Sequence, residues 1–164
     1  MPRVATLLLI TAVAAAAGTA NGQEVLNEKQ MSIRLAHEIA LGALEQCRND
    51  GWKVAVAVVD RGGQTRVLLR DDGTGPHTTE TSRRKAYTAA TFRVPTLEFA
   101  ARIATNPGAA GLKELPDVTT LGGGVPVRSH GEVIGAVGVS GAPGGDKDDV
   151  CAQAGLRRVL EALQ

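Results

Sequence analysis

The chain has 164 residues, of which 43% are hydrophobic and 21% charged, and this is enough for one globular domain with a core of its own. Aromatic residues make up only 2%, so aliphatic side chains must build that core. The shortage of aromatic rings and the net charge of only +1 argue against a nucleic-acid-binding module, which needs a basic surface and rings that stack on bases.

The first 22 residues have the three parts of a secretory signal peptide. Arg3 supplies a positive charge, the run from Val4 to Ala17 carries no charge, and small residues around Ala20 offer a cleavage site. The alternative is an uncleaved membrane anchor, but the apolar run is short for a span of the bilayer. We therefore expect an exported protein, periplasmic or secreted, in which residues 23–164 form one domain with no stable membrane anchor after processing. Cleavage removes Arg3 and leaves a net charge of zero.

The domain begins with a predicted helix and a predicted strand hairpin. Residues 23–49 carry apolar residues every three or four positions, which predicts a helix, and Asn27 is placed to cap it. Residues 53–59 are almost wholly apolar and rich in β-branched residues, as in a central strand that is covered on both faces. A Gly-rich turn after Asp60 and a second run over 65–70 predict that the chain returns as an antiparallel strand.

A cluster of cations marks the next helix. His77 precedes a helix that is predicted to begin near Thr78, and Arg83, Arg84 and Lys85 lie in its early turns, where the helix dipole disfavours positive charge. The cluster has two interpretations, a solvated face and a cationic site for a carboxylate or a propionate. The residues alone leave both open.

Short elements follow this helix. Pro95 ends it, and a further helix is predicted over 96–104. Residues 111–116 are expected to be irregular, and residues 118–121 are predicted to form a strand.

Three consecutive glycines, Gly122, Gly123 and Gly124, precede two strands that are predicted over 125–128 and 133–140. The run matches neither the phosphate-binding pattern GxxxxGK[ST] nor GxGxxG between a strand and a helix. We therefore expect the glycines to provide unusual backbone angles or a close approach to a ligand or a neighbouring subunit.

The last predicted helix begins with the acidic residues Asp146, Asp148 and Asp149. Their spacing is not that of an EF-hand, and the final glutamate of such a loop is missing. We expect these carboxylates to cap the helix, whose positive N-terminal end favours them.

This order of elements predicts an α+β fold with a mainly antiparallel five-stranded sheet, and with the first and last helices together on one face. If these helices run antiparallel, Cys47 and Cys151 become neighbours. The two cysteines are then either a disulfide, which an exported protein permits, or two small buried thiols.

Isolated residues are the only catalytic or metal-binding candidates. The sequence has no GxSxG, HxxxH or CxxC pattern. Asp60 is either a general base or a residue that binds turn amides. His77 is either an axial ligand for a haem iron or an exposed loop histidine, whereas His130 falls in a hairpin turn.

Several segments, in this order, resemble the GlcG/HbpS-like family, a haem-binding or haem-degrading domain family. The segments are VAVVDRGG (56–63), KAYTA (85–89), Pro95-Thr96, LGGGVPV (121–127) and GAVGVSG (135–141). The resemblance covers residues 27–163. It implies a profilin-like three-layer domain, self-association into dimers or larger rings, and, as in some members, binding of haem or another tetrapyrrole.

On this resemblance we expect an exported, oligomeric small-ligand-binding protein, a carrier or a sensor accessory, with haem as the leading ligand. Arg83 and Lys85 would pair with the propionates, with Tyr87 and Thr88 beside them, and His77 or Tyr87 would reach the iron.

The glycine run, Gly122 to Gly124, would line the approach to this ligand. Two alternatives stay open. The first is an enzyme that degrades haem or acts on a small organic acid, with Asp60 as the base and Lys85 holding the carboxylate. The second is a structural assembly module that binds no ligand.

Overall fold

The computed structural model describes residues 26–164. The predicted signal peptide therefore lies outside the described residues, as do the first residues of the predicted domain. The helices and strands, in chain order, are α1 (Ile33–Asn49), β1 (Ala55–Asp60), β2 (Thr65–Arg70), α2 (Thr78–Phe92), α3 (Thr96–Thr105), a 3-10 helix (Pro107–Glu114), β3 (Gly124–Ser129), β4 (Glu132–Ser140), α4 (Gly145–Arg158) and α5 (Leu160–Leu163). None of the helices in this part of the chain is long and apolar enough to cross a membrane.

The sheet has four antiparallel strands in the order β2-β1-β4-β3. β1 and β4 lie at its centre, and their nearly continuous burial explains why 54–59 is an uninterrupted apolar run. The β1–β2 hairpin and the β3–β4 hairpin are both present as predicted. The antiparallel α+β class is therefore confirmed, but the predicted number of five strands is wrong.

The missing fifth strand is the segment 118–121. Val118 and Thr119 are buried, yet their backbone N–H groups bond to the Leu115 carbonyl and the Thr88 hydroxyl instead of to a neighbouring strand. β-branched residues suit a buried, extended segment even when it forms no hydrogen bonds to a neighbouring strand. The predicted irregular segment 111–116 is also wrong in part, because the 3-10 helix covers its first residues up to Glu114.

The first helix begins ten residues later than the prediction of 23–49. Ser32 caps it by accepting a hydrogen bond from the backbone N–H of Leu35 at 3.1 Å, so Asn27 is not the cap. Leu26 is 72% exposed, which shows that the residues before Met31 have no apolar surface to cover them. Periodicity without a packing partner does not hold a helix together.

The sheet separates two packing layers. One face carries the main core, where α1 and α4 cover valines of the sheet such as Val56, Val58 and Val137. The other face carries α2, whose Ala86 and Ala89 pack against Val59. The prediction that the first and last helices share one face of the sheet is confirmed.

Small residues let α1 and α4 approach closely. A methyl group on Gly155 would collide with the backbone carbonyl of Ile39, so the two helices touch backbone to backbone here. Toward the end of α1, Cys47 and Cys151 are joined in the structure by a disulfide, with their Cα atoms 5.5 Å apart. The disulfide thus joins the last turn of α1 to the first half of α4. The chain segments that follow α1 and precede α4 line the same cleft, which is described below.

Candidate functional site

Three chain segments enclose a cleft of about 660 Å³ at the end of the sheet where β1 begins and β4 ends. The first wall is the turn after α1, residues 51–53. The second is the loop before α2 and the first turns of α2, residues 73–81. The third is the loop from β4 into α4, residues 140–148. This volume lies within the range of small-molecule and cofactor sites.

A larger groove of about 940 Å³ lies between the start of α1 and the end of α4. Its most prominent cation, Arg158, already pairs with Glu38 at 2.9 Å and with Glu45 at 2.5 Å. None of the site residues predicted from the sequence lines it. We therefore take the 660 Å³ cleft, which contains His77, Lys85 and Gly122, as the candidate site.

His77 stands at the rim of this cleft. It occupies the position before α2, its side chain does not cap the helix, and the residue is exposed. Its ring lies over Gly75, where an added methyl group would be only 2.9 Å from Cε1. Among the described residues no group of three histidine, cysteine or acidic side chains could hold a metal ion, so His77 is a single candidate ligand. His130 lies far from this cleft, in the turn between β3 and β4.

Trp52 and Lys53 line the first wall of the cleft, and neither is among the site residues predicted from the sequence. Trp52 is half-buried and packs partly against the main core. Lys53 is exposed, and its backbone carbonyl accepts a hydrogen bond from the Thr74 hydroxyl at 2.8 Å. This bond joins the first wall to the second. No motif in the sequence singles out either residue, because each stands alone in the turn before a strand.

The floor of the cleft is a buried ion pair between Lys85 and Asp148. Lys85 Nζ lies 2.6 Å from Asp148 Oδ2 and donates a second hydrogen bond to the Val139 carbonyl at 2.8 Å. The two side chains are only 3% and 5% exposed. The other carboxylate oxygen of Asp148 accepts the Ala142 N–H at 3.0 Å, which ties the loop of the third wall to the pair.

Burial opposes the charges of this pair. Removal from water lowers the pKa of the Lys85 ammonium, and the attraction of Asp148 acts against that shift. Burial likewise raises the pKa of the Asp148 carboxyl, and Lys85 acts against that shift. Each charge therefore depends on its partner, and the pair is already satisfied without any ligand.

Asp148 was predicted to cap the last helix, and that prediction is wrong. Gly144 is the cap residue, and no side chain hydrogen-bonds to the start of α4. Asp146 and Asp148 do lie in the first turn, as expected, but Asp148 turns inward to Lys85. Asp149 is half-buried, and burial raises the pKa of its carboxyl.

The remaining cations of the cluster are also engaged. Arg83 binds Glu80 through two hydrogen bonds, of 2.9 and 2.7 Å, and reaches Asp117 at 2.5 Å. Arg84 donates to the Val118 carbonyl at 2.6 Å. Arg83 and Lys85 are thus ion-paired, Arg84 bonds to a backbone carbonyl, and of the three only Lys85 borders the cleft.

Tyr87 and Thr88 do not border the cleft. The Tyr87 ring packs against Gly63 in the β1–β2 turn, where an added methyl group would lie 2.8 Å from the ring. The Thr88 hydroxyl is buried; it donates to the Arg84 carbonyl and accepts the Thr119 N–H. The structure therefore separates both residues from His77.

The glycine run makes its close approaches within the chain. Gly123 has φ of +109° and leaves room for Asp148, whose Cβ would lie 2.5 Å from an added methyl group. A methyl group on Gly124 would overlap the backbone of Lys85. Gly122 lies against Gly145 and borders the cleft. The run thus lets the chain entering β3 pass the middle of α2 and the start of α4 without a side chain between them.

Asp60 lies at the other end of β1 from the cleft. Its Oδ1 accepts hydrogen bonds from the Gly62 and Gln64 N–H groups, each at 3.0 Å, as expected for the turn interpretation. Ala55, at the start of the same strand, pairs with Ser140 on the cleft side. The structure therefore does not bring Asp60 and Lys85 together.

Comparison with known proteins gives consistent results. The family model described as "Haem degrading protein HbpS-like" matches residues 31–157. Protein GlcG of Escherichia coli strain K12 is 37% identical over 110 residues, which cover 67% of this chain and 81% of GlcG. The crystal structure of a double mutant of Streptomyces reticuli HbpS superposes with a TM-score of 0.79 at 42% identity, covering 88% of this chain and 97% of that one.

A ligand complex is among the similar structures. The crystal structure of a PduOC:heme complex superposes with a TM-score of 0.72 at 28% identity. It covers 79% of this chain and 95% of that chain.

Proposed function

Because this chain belongs to the haem-degrading, HbpS-like family, we propose that it binds haem or a related tetrapyrrole, and that the 660 Å³ cleft is the site. The single observation that carries this assignment is His77, which is exposed at the rim of the cleft and whose side chain makes no capping hydrogen bond to α2. Trp52 and Lys53 line the same cleft. A protein of similar structure is known as a heme complex.

The residues of the cleft fit the chemistry of haem. Haem needs an imidazole or another axial ligand for its iron, an apolar face for its macrocycle, and cations for its propionates. His77 offers the imidazole, Trp52 the apolar face, and Lys53 an ammonium that is open to solvent. Bound haem would supply a redox-active iron, while these residues bind and orient it. Lys85 would hold Asp148 in place beneath the ligand instead of pairing with a propionate.

Haemin titration followed by the Soret band tests this proposal. We expect saturable binding of one haemin per chain at micromolar protein, and His77→Ala should shift the Soret maximum and weaken binding about tenfold. His130→Ala is the matched control, because His130 is an exposed turn histidine outside the cleft. The absence of a Soret shift with the unaltered chain would remove haem as the ligand, and equal effects of both variants would remove His77 as the iron ligand.

We also propose that the protein is exported and acts as a carrier or a sensor accessory. The support is the signal-peptide pattern of residues 1–22, together with a buried disulfide, which is typical of oxidising compartments. Fractionation of the native host, with the N-terminus of the mature chain read by mass spectrometry, tests this. A chain that keeps Met1 and stays with the cytoplasmic fraction contradicts it.

Self-association is part of the same proposal. Leu97 and Leu121 are 42% and 55% exposed, and they lie near the glycine run, where the Leu97 side chain rests on Gly122. A second copy of the chain would cover this apolar surface. Light scattering after size-exclusion chromatography should give a mass above that of one chain, and a monomer at high micromolar concentration would contradict the proposal.

A further inference from the structure

The Cys47–Cys151 disulfide lies directly behind the cleft. Cys47 belongs to the last turn of α1, and its carbonyl accepts the Trp52 N–H at 2.8 Å, so the first cleft wall follows it without an intervening element. Cys151 lies within one turn of Asp148 on α4, which ends the third wall. Both cysteines are fully buried. The bond therefore connects the bases of two of the three walls.

Other contacts also hold the helix pair together. Gly155 meets the Ile39 carbonyl near the middle of α1, and Arg158 pairs with Glu38 and Glu45. These contacts keep α1 on α4 whether or not the disulfide is formed. At the cleft end of the pair the disulfide adds a covalent bond to this packing.

The second wall is tied to each of the other two by hydrogen bonds. Thr74 donates to the Lys53 carbonyl, which joins the first wall to the second, and Lys85 pairs with Asp148, which joins α2 to the third. The first wall also meets the third at the sheet, where β1 pairs with β4 at Ala55 and Ser140, and where a methyl group on Gly141 would lie only 2.5 Å from the Lys53 carbonyl oxygen. Behind this contact, the disulfide is the covalent link between the two helices that lead into these walls.

We infer that this disulfide sets the ligand affinity of the cleft, so that the chain binds its ligand tightly only in the oxidised form. The inference rests on the proposed function for the identity of the ligand. Two thiols become one disulfide when a disulfide-carrying oxidant accepts their two electrons and two protons and is itself reduced to a dithiol. A reduced chain in a reducing compartment would have a loose cleft, and loading would follow oxidation.

A double variant, Cys47→Ala with Cys151→Val, tests the inference without a reductant that would alter haemin. We expect its haemin Kd to rise at least tenfold over that of the oxidised native chain, whose bond is first verified by thiol titration. Val127→Ala is the matched control, because Val127 is a fully buried core residue on β3 that does not line the cleft. An equal loss of affinity in this control would show a general effect of stability and would overturn the inference.

A second measurement needs no haem. Trp52 is the only tryptophan and borders the cleft, so iodide quenching of its fluorescence reports on the first wall. We expect the quenching constant to at least double in the double variant. A folded double variant with native quenching and native haemin affinity overturns the inference. If the native chain binds no haemin but the quenching still depends on the bond, the haem proposal fails and the role of the disulfide stands.

A further experiment tests the inference if the double variant does not fold. If the double variant does not unfold cooperatively, the native chain is compared before and after reduction with a phosphine, with zinc protoporphyrin as the probe because zinc is not reduced. A reduced chain that stays folded but binds the probe tenfold more weakly supports the inference. A reduced chain that is unfolded contradicts it, since the bond then acts on the whole fold and not on the cleft.

Discussion

The replacement Asp148→Ala removes the countercharge of the buried Lys85 ammonium. Lys85 Nζ and Asp148 Oδ2 are 2.6 Å apart, and their side chains are 3% and 5% exposed, so water cannot take the place of the carboxylate. Breaking such a pair from one side costs about 3–5 kcal/mol, because an uncompensated charge stays buried. Since a domain of this kind is stabilised by roughly 5–15 kcal/mol in total, the variant should lose a large part of its stability.

Urea unfolding followed by far-UV circular dichroism at pH 7 measures this loss. Asp146→Ala is the matched control on the same turn of α4, because the Asp146 side chain is 69% exposed and its ion pair is with the exposed Lys147, at 3.7 Å. We expect the control to change the free energy of unfolding by less than about 0.5 kcal/mol. A loss of less than about 1 kcal/mol in Asp148→Ala would refute the reasoning.

Two further measurements separate charge from packing. The double replacement Lys85→Met with Asp148→Leu should recover most of the lost stability, because a buried pair exchanged for apolar residues of similar volume costs little. In Asp148→Ala the folded chain holds the Lys85 ammonium at a lowered pKa, so the unfolded state binds more protons. The stability of this single variant should therefore rise as the pH increases from 7 toward 10. A flat profile would mean that lost packing, and not the charge, destabilises it.

Two other predictions concern the glycine run and the dependence of stability on pH below 7. Gly124→Ala should cost about 1–3 kcal/mol in urea unfolding, because the new methyl group would overlap the Lys85 carbonyl, whereas Gly111→Ala, with nothing within 4 Å of its methyl group, should be neutral. The Arg48 guanidinium donates two hydrogen bonds to the Asp71 carboxylate and lowers the pKa of Asp71 below its ordinary value of 3.8. Because the unfolded chain binds a proton at Asp71 more readily than the folded chain, this contact stabilises the fold above pH 3.8, and its contribution is lost as the pH falls through the lowered pKa. Asp71→Asn should lower the melting temperature at pH 7, and the gap to the native chain should close as the pH falls toward 2; a gap that persists there would contradict this.

The hairpins and the start of α2 at Thr78 could be predicted because their signals are local. A Gly-rich turn between two β-branched runs specifies a hairpin wherever it occurs. The strand predicted over 118–121 failed because the same β-branched residues also suit a buried segment whose N–H groups bond to side chains, as Thr119 does with Thr88. The helix start failed because Asn27 and Ser32 are both good cap residues, and only the packing of Met31 and later residues decides between them.

The candidate site was predictable only in part. His77 was found because it precedes a helix in a polar loop, and it does stand at the cleft. Arg83 and Lys85 were correctly noticed as unusual. Glu80, one partner of Arg83, is local, but Asp117 and Asp148 are 34 and 63 residues away from Arg83 and Lys85 in the sequence. No local pattern reveals such a partner, and a cation without a visible partner resembles a ligand-binding group.

The sequence by itself determined the two strand hairpins with their antiparallel pairing, and the family, since these depend on turn residues, β-branched runs and ordered motifs along the chain. Only the tertiary structure decided which charges are free. It pairs Lys85 with Asp148, leaves Lys53 and His77 open at the cleft, and places the Cys47–Cys151 bond behind two of its walls. The reason is that the strength of an ion pair and the shape of a cleft depend on distance and burial in space, which residues far apart in the chain acquire only when it folds.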